Sequence, residues 1–139
     1  MKAAAILLMT TILSLQLSCN SAKKSNEAMK NEPMQGTYVI AMLQQKNVTD
    51  KAMELTFKAE DSSFSGKTEC NSMFGTYKAE GDKITFAPVG ATKMYCEGKM
   101  EAEKTIQKML GEATHYTSQK GKISFYNADD TLLLSASKK

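Results

Sequence analysis

The sequence predicts a mainly β domain with one packed helix (α+β), built as a small antiparallel, partly open β-barrel or curled sheet. Three observations predict it. Short runs of β-branched, aromatic and other apolar residues alternate with polar ones between Gly36 and Ala136. One stretch only, Glu97 to Leu110, repeats its apolar residues at helical spacing. A cysteine stands on either side of a central strand-turn-strand pattern, at Cys70 and Cys96.

The chain of 139 residues has room for one domain beyond its N-terminal segment. Met1-Lys2 is a short basic start, and Ala3 to Leu17 is an uncharged run dominated by Ala, Ile, Leu and Met. That run falls short of the roughly 20 residues a membrane-spanning helix needs, and its composition is that of a secretory signal segment. Export is therefore expected. Ser18-Cys19 follows directly and resembles the lipobox of bacterial lipoproteins, with Gln16 where that motif usually carries Leu. The resemblance implies a signal peptide over 1–18, acylation of Cys19 and a lipid anchor in the cell envelope. Asn20 after the cysteine leans towards the outer membrane. The other reading is an ordinary signal peptide cut near Ser21-Ala22. Residues 19–35, polar with no apolar period, then form a flexible tether ahead of a domain over 36–139.

Three cysteines in an exported chain leave one odd thiol. Acylation of Cys19 and a disulfide between Cys70 and Cys96 leave none over. Buried free thiols are the alternative. A metal site is disfavoured, because two thiols and the single His115 without a C-x-x-C spacing make a poor ligand set. The basic residues are all Lys, and the formal net charge is only +3. Without Arg or a basic stripe, nucleic-acid binding is not expected.

From Gly36 the pattern turns β. Residues 36–43 are rich in β-formers, and 44–51 form a polar loop. Met53, Leu55 and Phe57 alternate with Glu54, Thr56 and Lys58, so one face is buried and the other wet. Strands over 64–68, 73–79 and 83–86 follow, with Glu80-Gly81-Asp82 as a hairpin turn and Pro88 at an edge or bulge. In the helix, Ala102, Ile106, Met109 and Leu110 face the sheet, and Gly111 takes the position just past its C-terminus. Strands over 114–118, 122–126 and 131–136, joined by turns rich in Gly, Asn and Asp, complete seven or eight.

Cys70-Asn71 with Phe74-Gly75-x-Tyr77, Gly81 to Phe86, Thr92-x-Met94-x-Cys96, Glu103 in the helix, and Ala128-Asp129 before Leu132-Leu133-Leu134 together resemble the META domain of HslJ-like proteins. The likeness runs from Gly36 to Ser135; the Trp usual in the first strand of that family is absent. It implies a compact β-rich domain with a packed helix in an exported or membrane-anchored bacterial protein. Family members are linked to heat-shock response and antibiotic tolerance. It supplies no enzyme activity, cofactor or catalytic residue.

The residues themselves point the same way. Asn71 and Gly75 are read as positions of backbone freedom, at bulges that bend a strand. His115 has no acid or nucleophile near it in sequence, and the acidic pairs Glu60-Asp61 and Asp129-Asp130 fall in turns. No catalytic constellation emerges. The methionines are read as plastic core filling, with an adaptable apolar cleft as the sharper alternative. The expectation is a non-enzymatic envelope lipoprotein that binds a partner or serves stress tolerance. The rival is a hydrophobic-ligand (lipid) carrier, or an assembly factor resembling the pilot proteins of envelope complexes. Expected partners are the membrane through its anchor, and an envelope protein or a small apolar ligand.

Overall fold

A computed structural model describes residues 30–139. The expected signal peptide, Cys19 and most of the tether lie outside the described residues. The strands are β1 (Gly36–Leu43), β2 (Lys46–Asn47), β3 (Glu54–Lys58), β4 (Ser63–Lys67), β5 (Ser72–Glu80), β6 (Lys83–Phe86), β7 (Gly90–Ala91), β8 (His115–Gln119), β9 (Lys122–Tyr126) and β10 (Leu132–Lys138). All strand pairings are antiparallel, in the order β10-β9-β8-β6-β5-β4-β3-β1, and β1 pairs with β10 to close the ring. Eight of them make a closed barrel; β2 extends β1, and β7 takes the half of the β5 edge that β6 leaves free. The helix α1 (Met100–Glu112) packs against β6 and β10.

Alternation along the strands puts one residue in two inside the barrel. Phe57 lies at the centre, with ring centroids 6.0 Å from Tyr38, 5.5 Å from Tyr77 and 6.1 Å from Phe125. Phe86 joins Phe64 at 5.2 Å and Phe125 at 5.3 Å, both edge to face. Edge-on aromatic contacts of this kind favour a fixed arrangement over a fluid one. Ile40, Leu55, Ile123 and Leu134 fill the remaining space and are fully buried. Side chains fill the middle of the barrel.

Register shifts between Ile40 and Met42 in β1, and between Leu132 and Leu134 in β10, mark bulges on the two strands that close the ring. They explain why inward residues slip from Tyr38 and Ile40 to Leu43, and why Leu133 and Leu134 are both buried. Gly75 is not at a bulge: its strand pairs regularly with β4, and its φ is not positive. Its lack of a side chain makes room for Phe64, whose Cε1 would stand 2.9 Å from an added Cβ. Asn71 likewise has no positive φ.

The helix starts later and ends later than expected. Gly98, at φ +73°, turns the chain before it, while Gly111 lies within the last turn and Ala113 swings into extended backbone. Its buried face is Glu103, Ile106, Met109 and Leu110, with Ala102 only partly covered. The loop expected over 44–51 contains β2, a short 3-10 turn at Thr49–Lys51 and a buried Val48.

The joint between β6 and β8 is the shortest in the ring, with Lys83 opposite His115, Ile84 N donating to Thr114 O at 3.0 Å and Tyr116 N to Asp82 O at 2.8 Å. Past it, residues 31–34 close the gap. The Asn31 side-chain amide donates to Gly81 O and Tyr116 O, both at 3.1 Å, and its oxygen accepts from Ser118 N at 2.8 Å. Glu32 N then donates to Ser118 O at 2.7 Å, and Met34 is buried. Read from the sequence as the end of the tether, these residues instead form a strap: one side-chain amide serves as a strand edge would, covering backbone groups of β8 that no strand reaches.

Candidate functional site: the braced loop at one end of the barrel

At the end of the barrel where β5 begins, the turn from β4 and the segment 92–96 are fastened together. Cys70 and Cys96 are joined by a disulfide, with Cα atoms 5.9 Å apart. Thr68 N and Oγ1 both donate to Asn71 O, at 2.9 and 2.8 Å, and Asn71 N returns a bond to Thr68 Oγ1 at 3.0 Å. That closes the turn. The Asn71 side chain, 1% exposed, then reaches across the chain. Its Nδ2 donates to Met94 O at 3.0 Å, while its Oδ1 accepts from Met94 N at 2.9 Å and Thr92 Oγ1 at 2.7 Å. Thr92 N donates to Ser72 O at 2.9 Å, and Ser72 N donates to Thr92 Oγ1 at 3.1 Å. Asn71 thus uses both ends of its amide as a peptide group would.

The bracing explains the spacing Thr92-x-Met94-x-Cys96: the first residue supplies a hydroxyl, the second a peptide unit, the third a sulfur. What it leaves over is apolar. Met94 is 57% exposed, Tyr95 82% and Phe74, two residues beyond Ser72, 57%. The ring of Phe74 lies over Gly90, where an added Cβ would stand 2.7 Å from it. No other large hydrophobic residue among those described is exposed. Met94 and Tyr95 are adjacent on this braced segment, and neighbouring apolar side chains left in water can serve as a contact surface.

His115 sits elsewhere, on the outside of the barrel. It stacks on Tyr126 at 5.3 Å, with Nε2 2.8 Å from Asp130 Oδ1 and Nδ1 3.1 Å from Thr114 Oγ1. The acid that is missing from its sequence neighbourhood is brought by the β9–β10 turn. His115 lines neither the cleft beside Tyr77 and Tyr116 nor that beside Thr85 and Phe86, and Asp130 is 88% exposed on its side chain. The arrangement holds a turn against a strand. Among the described residues, no three His, Cys, Asp or Glu side chains gather where one ion could be held. One helix carboxylate is buried: Glu103 accepts a long 3.4 Å bond from Gln107, and its other oxygen has no partner among the described residues.

A closed eight-stranded barrel with one helix packed on it and a disulfide-braced loop defines a small β-barrel scaffold. The chain belongs to the META domain family, whose model matches residues 29–139. Three solved structures share the fold. An NMR structure is 23% identical, covering 75% of this chain and 89% of its own, with a TM-score of 0.59. A DUF4847 family protein from Bacteroides vulgatus is 13% identical over 77% and 94%, with a TM-score of 0.57. A protein from Burkholderia xenovorans is 17% identical over 77% and 83%, with a TM-score of 0.60. Comparison with curated proteins finds no match.

Sequence reasoning located Cys70, Asn71 and Cys96 but gave Asn71 a backbone role in place of its side-chain network. It missed the strap. The only signal was a polar Asn31 and a lone Met34 ahead of the first strand, in a segment whose composition otherwise reads as linker.

Proposed function

We propose that this META-domain protein is a non-enzymatic binding module of the bacterial envelope, exported and anchored through an acylated Cys19. Its working surface is the braced loop, which presents Phe74, Met94 and Tyr95 to an envelope protein, in the setting of stress or antibiotic tolerance. The observation that carries this reading is the pairing of maximum bracing with exposed apolar side chains on one segment. A disulfide and the Asn71 amide fix a backbone that would otherwise lose entropy on binding, so the contact surface is organised in advance. Met and Tyr suit such a surface, one adaptable and one rigid.

The carrier reading is less well supported, because side chains fill the middle of the barrel; an apolar ligand has to sit at its rim or outside it. Chemical crosslinking in intact cells tests the proposal, comparing the natural chain with a Met94→Ser/Tyr95→Ser double variant. Discrete protein adducts present in the first and lost in the second are expected, at equal protein levels. Adducts unchanged by the substitutions contradict the assignment of this surface.

A further inference from the structure

The end of the barrel away from the disulfide carries a cleft beside the strap. Strands β5 and β8 bring Tyr77 and Tyr116 there, with 8% and 6% of their surface exposed. The rings belong to the core, Tyr77 packing edge to face on Phe57 at 5.5 Å. Both residues line a cleft of about 750 Å³, together with Met34 and Pro33 of the strap and Ala59 and Ala79 of the barrel rim. That is within the range of about 300–1,000 Å³ typical of small-molecule sites.

A phenol hydroxyl at the edge of a core is a ready hydrogen-bond donor. Among the described residues neither of these is bonded to a protein group, and neither is shut off from water, so both are free to donate to a ligand in the cleft. Burial is the main cause holding both above the ordinary phenol range, with Tyr116 and Asp61 adding to it at Tyr77, and Asp82 at Tyr116. They stay protonated and offer O–H donors. Asn31 offers nothing further, its amide being spent on backbone. Lys30 and Asp82 are the charged residues of the lining; both are exposed, Asp82 in the β5–β6 turn and Lys30 ahead of the strap.

From this geometry we infer that the cleft binds an uncharged amphiphile. Its apolar body lies against Met34, Pro33, Ala59 and Ala79, and a hydroxyl, ether or carbonyl oxygen accepts from Tyr77 and Tyr116. A carboxylate or ammonium group seated against the phenols, away from the exposed Lys30 and Asp82, loses its hydration and meets two neutral hydroxyls in return. The site is at the opposite end of β5 from the braced loop and is independent of it.

The test uses the full chain bearing Cys19→Ser, so that no acyl group of its own competes, and three eight-carbon probes below their micelle concentrations. The probes are octyl glucoside, octanoate and octylammonium. NMR titration is expected to show saturable shifts at Tyr77, Tyr116 and Met34 with octyl glucoside, and binding about tenfold weaker or more for the charged probes. Tyr77→Phe keeps the ring and removes only the hydroxyl, so it should weaken octyl glucoside by about fivefold while leaving the melting temperature nearly unchanged. Ala79→Trp, which fills the mouth from its rim, should abolish the shifts. The inference is overturned by equal binding of a charged probe, by unchanged affinity in both variants, by shifts centred on Met94 and Tyr95, or by no saturable shift.

Discussion

Asn71 holds more of the braced loop than any other single residue. Replacing it with Ala strands Met94 N–H, Met94 C=O and the Thr92 hydroxyl at once, in a place water barely reaches. The expected loss is about 2–4 kcal/mol in urea unfolding, since unmade buried bonds cost more than made ones contribute. A loss below about 1 kcal/mol would show that water replaces the amide. The phenols give a second residue-scale expectation. Tyr77 and Tyr116 are raised, chiefly by burial. The unfolded chain therefore releases these protons first as pH climbs. Their contribution to stability is complete below about pH 10 and is lost as pH rises through the folded values. Melting temperature should fall in that alkaline window, and Tyr77→Phe should flatten part of the fall; an unchanged slope would contradict it. At this scale the sequence was half legible. Cys70 and Cys96 could be paired by counting thiols in a chain expected to be exported, whereas Asn71 takes its meaning from partners 21 and 23 residues away.

At the scale of elements, two-residue periodicity made most strands readable because one face of each meets a packed interior. β2 and β7, at two residues each, are too short to show a period. The helix ends were misplaced because Gly98 and Gly111 exchange the roles expected of them: the left-handed turn falls at the start. Two elements can be tested by loosening them. The disulfide closes a 26-residue separation, worth about 3.5 kcal/mol in the chain-entropy model. Cys70→Ala should lower the melting temperature in oxidising buffer and add nothing once reductant is present; equal losses in both would contradict a bridge. Asn31→Ala should free the strap. Hydrogen exchange at the Glu32 and Ser118 amides should rise at least tenfold while the barrel strands stay protected, as expected of a local opening. Protection unchanged at both amides would mean that Met34 alone docks the segment.

For the molecule as a whole, the fold class was legible and the surfaces were not. The run of strands, the one helix and the resemblance together specify a small barrel, and closure by β1 and β10 removes the edges a curled sheet would expose. What stands outside the barrel depends on contacts far apart in the chain. Asn31 meets β8 some 85 residues later, and no local pattern signals that meeting. With side chains filling its middle, the barrel has its rim and its exterior left to work with, and the braced loop is where apolar side chains are held out to water. Site-specific photocrosslinking in living cells examines this most directly, with a photoreactive residue placed at Tyr95 or, on the outer face of the helix, at Lys104. A discrete protein adduct from position 95, absent from position 104, is the expected result. Adducts of equal yield from both positions, or from 104 alone, would contradict a barrel that acts through its braced loop.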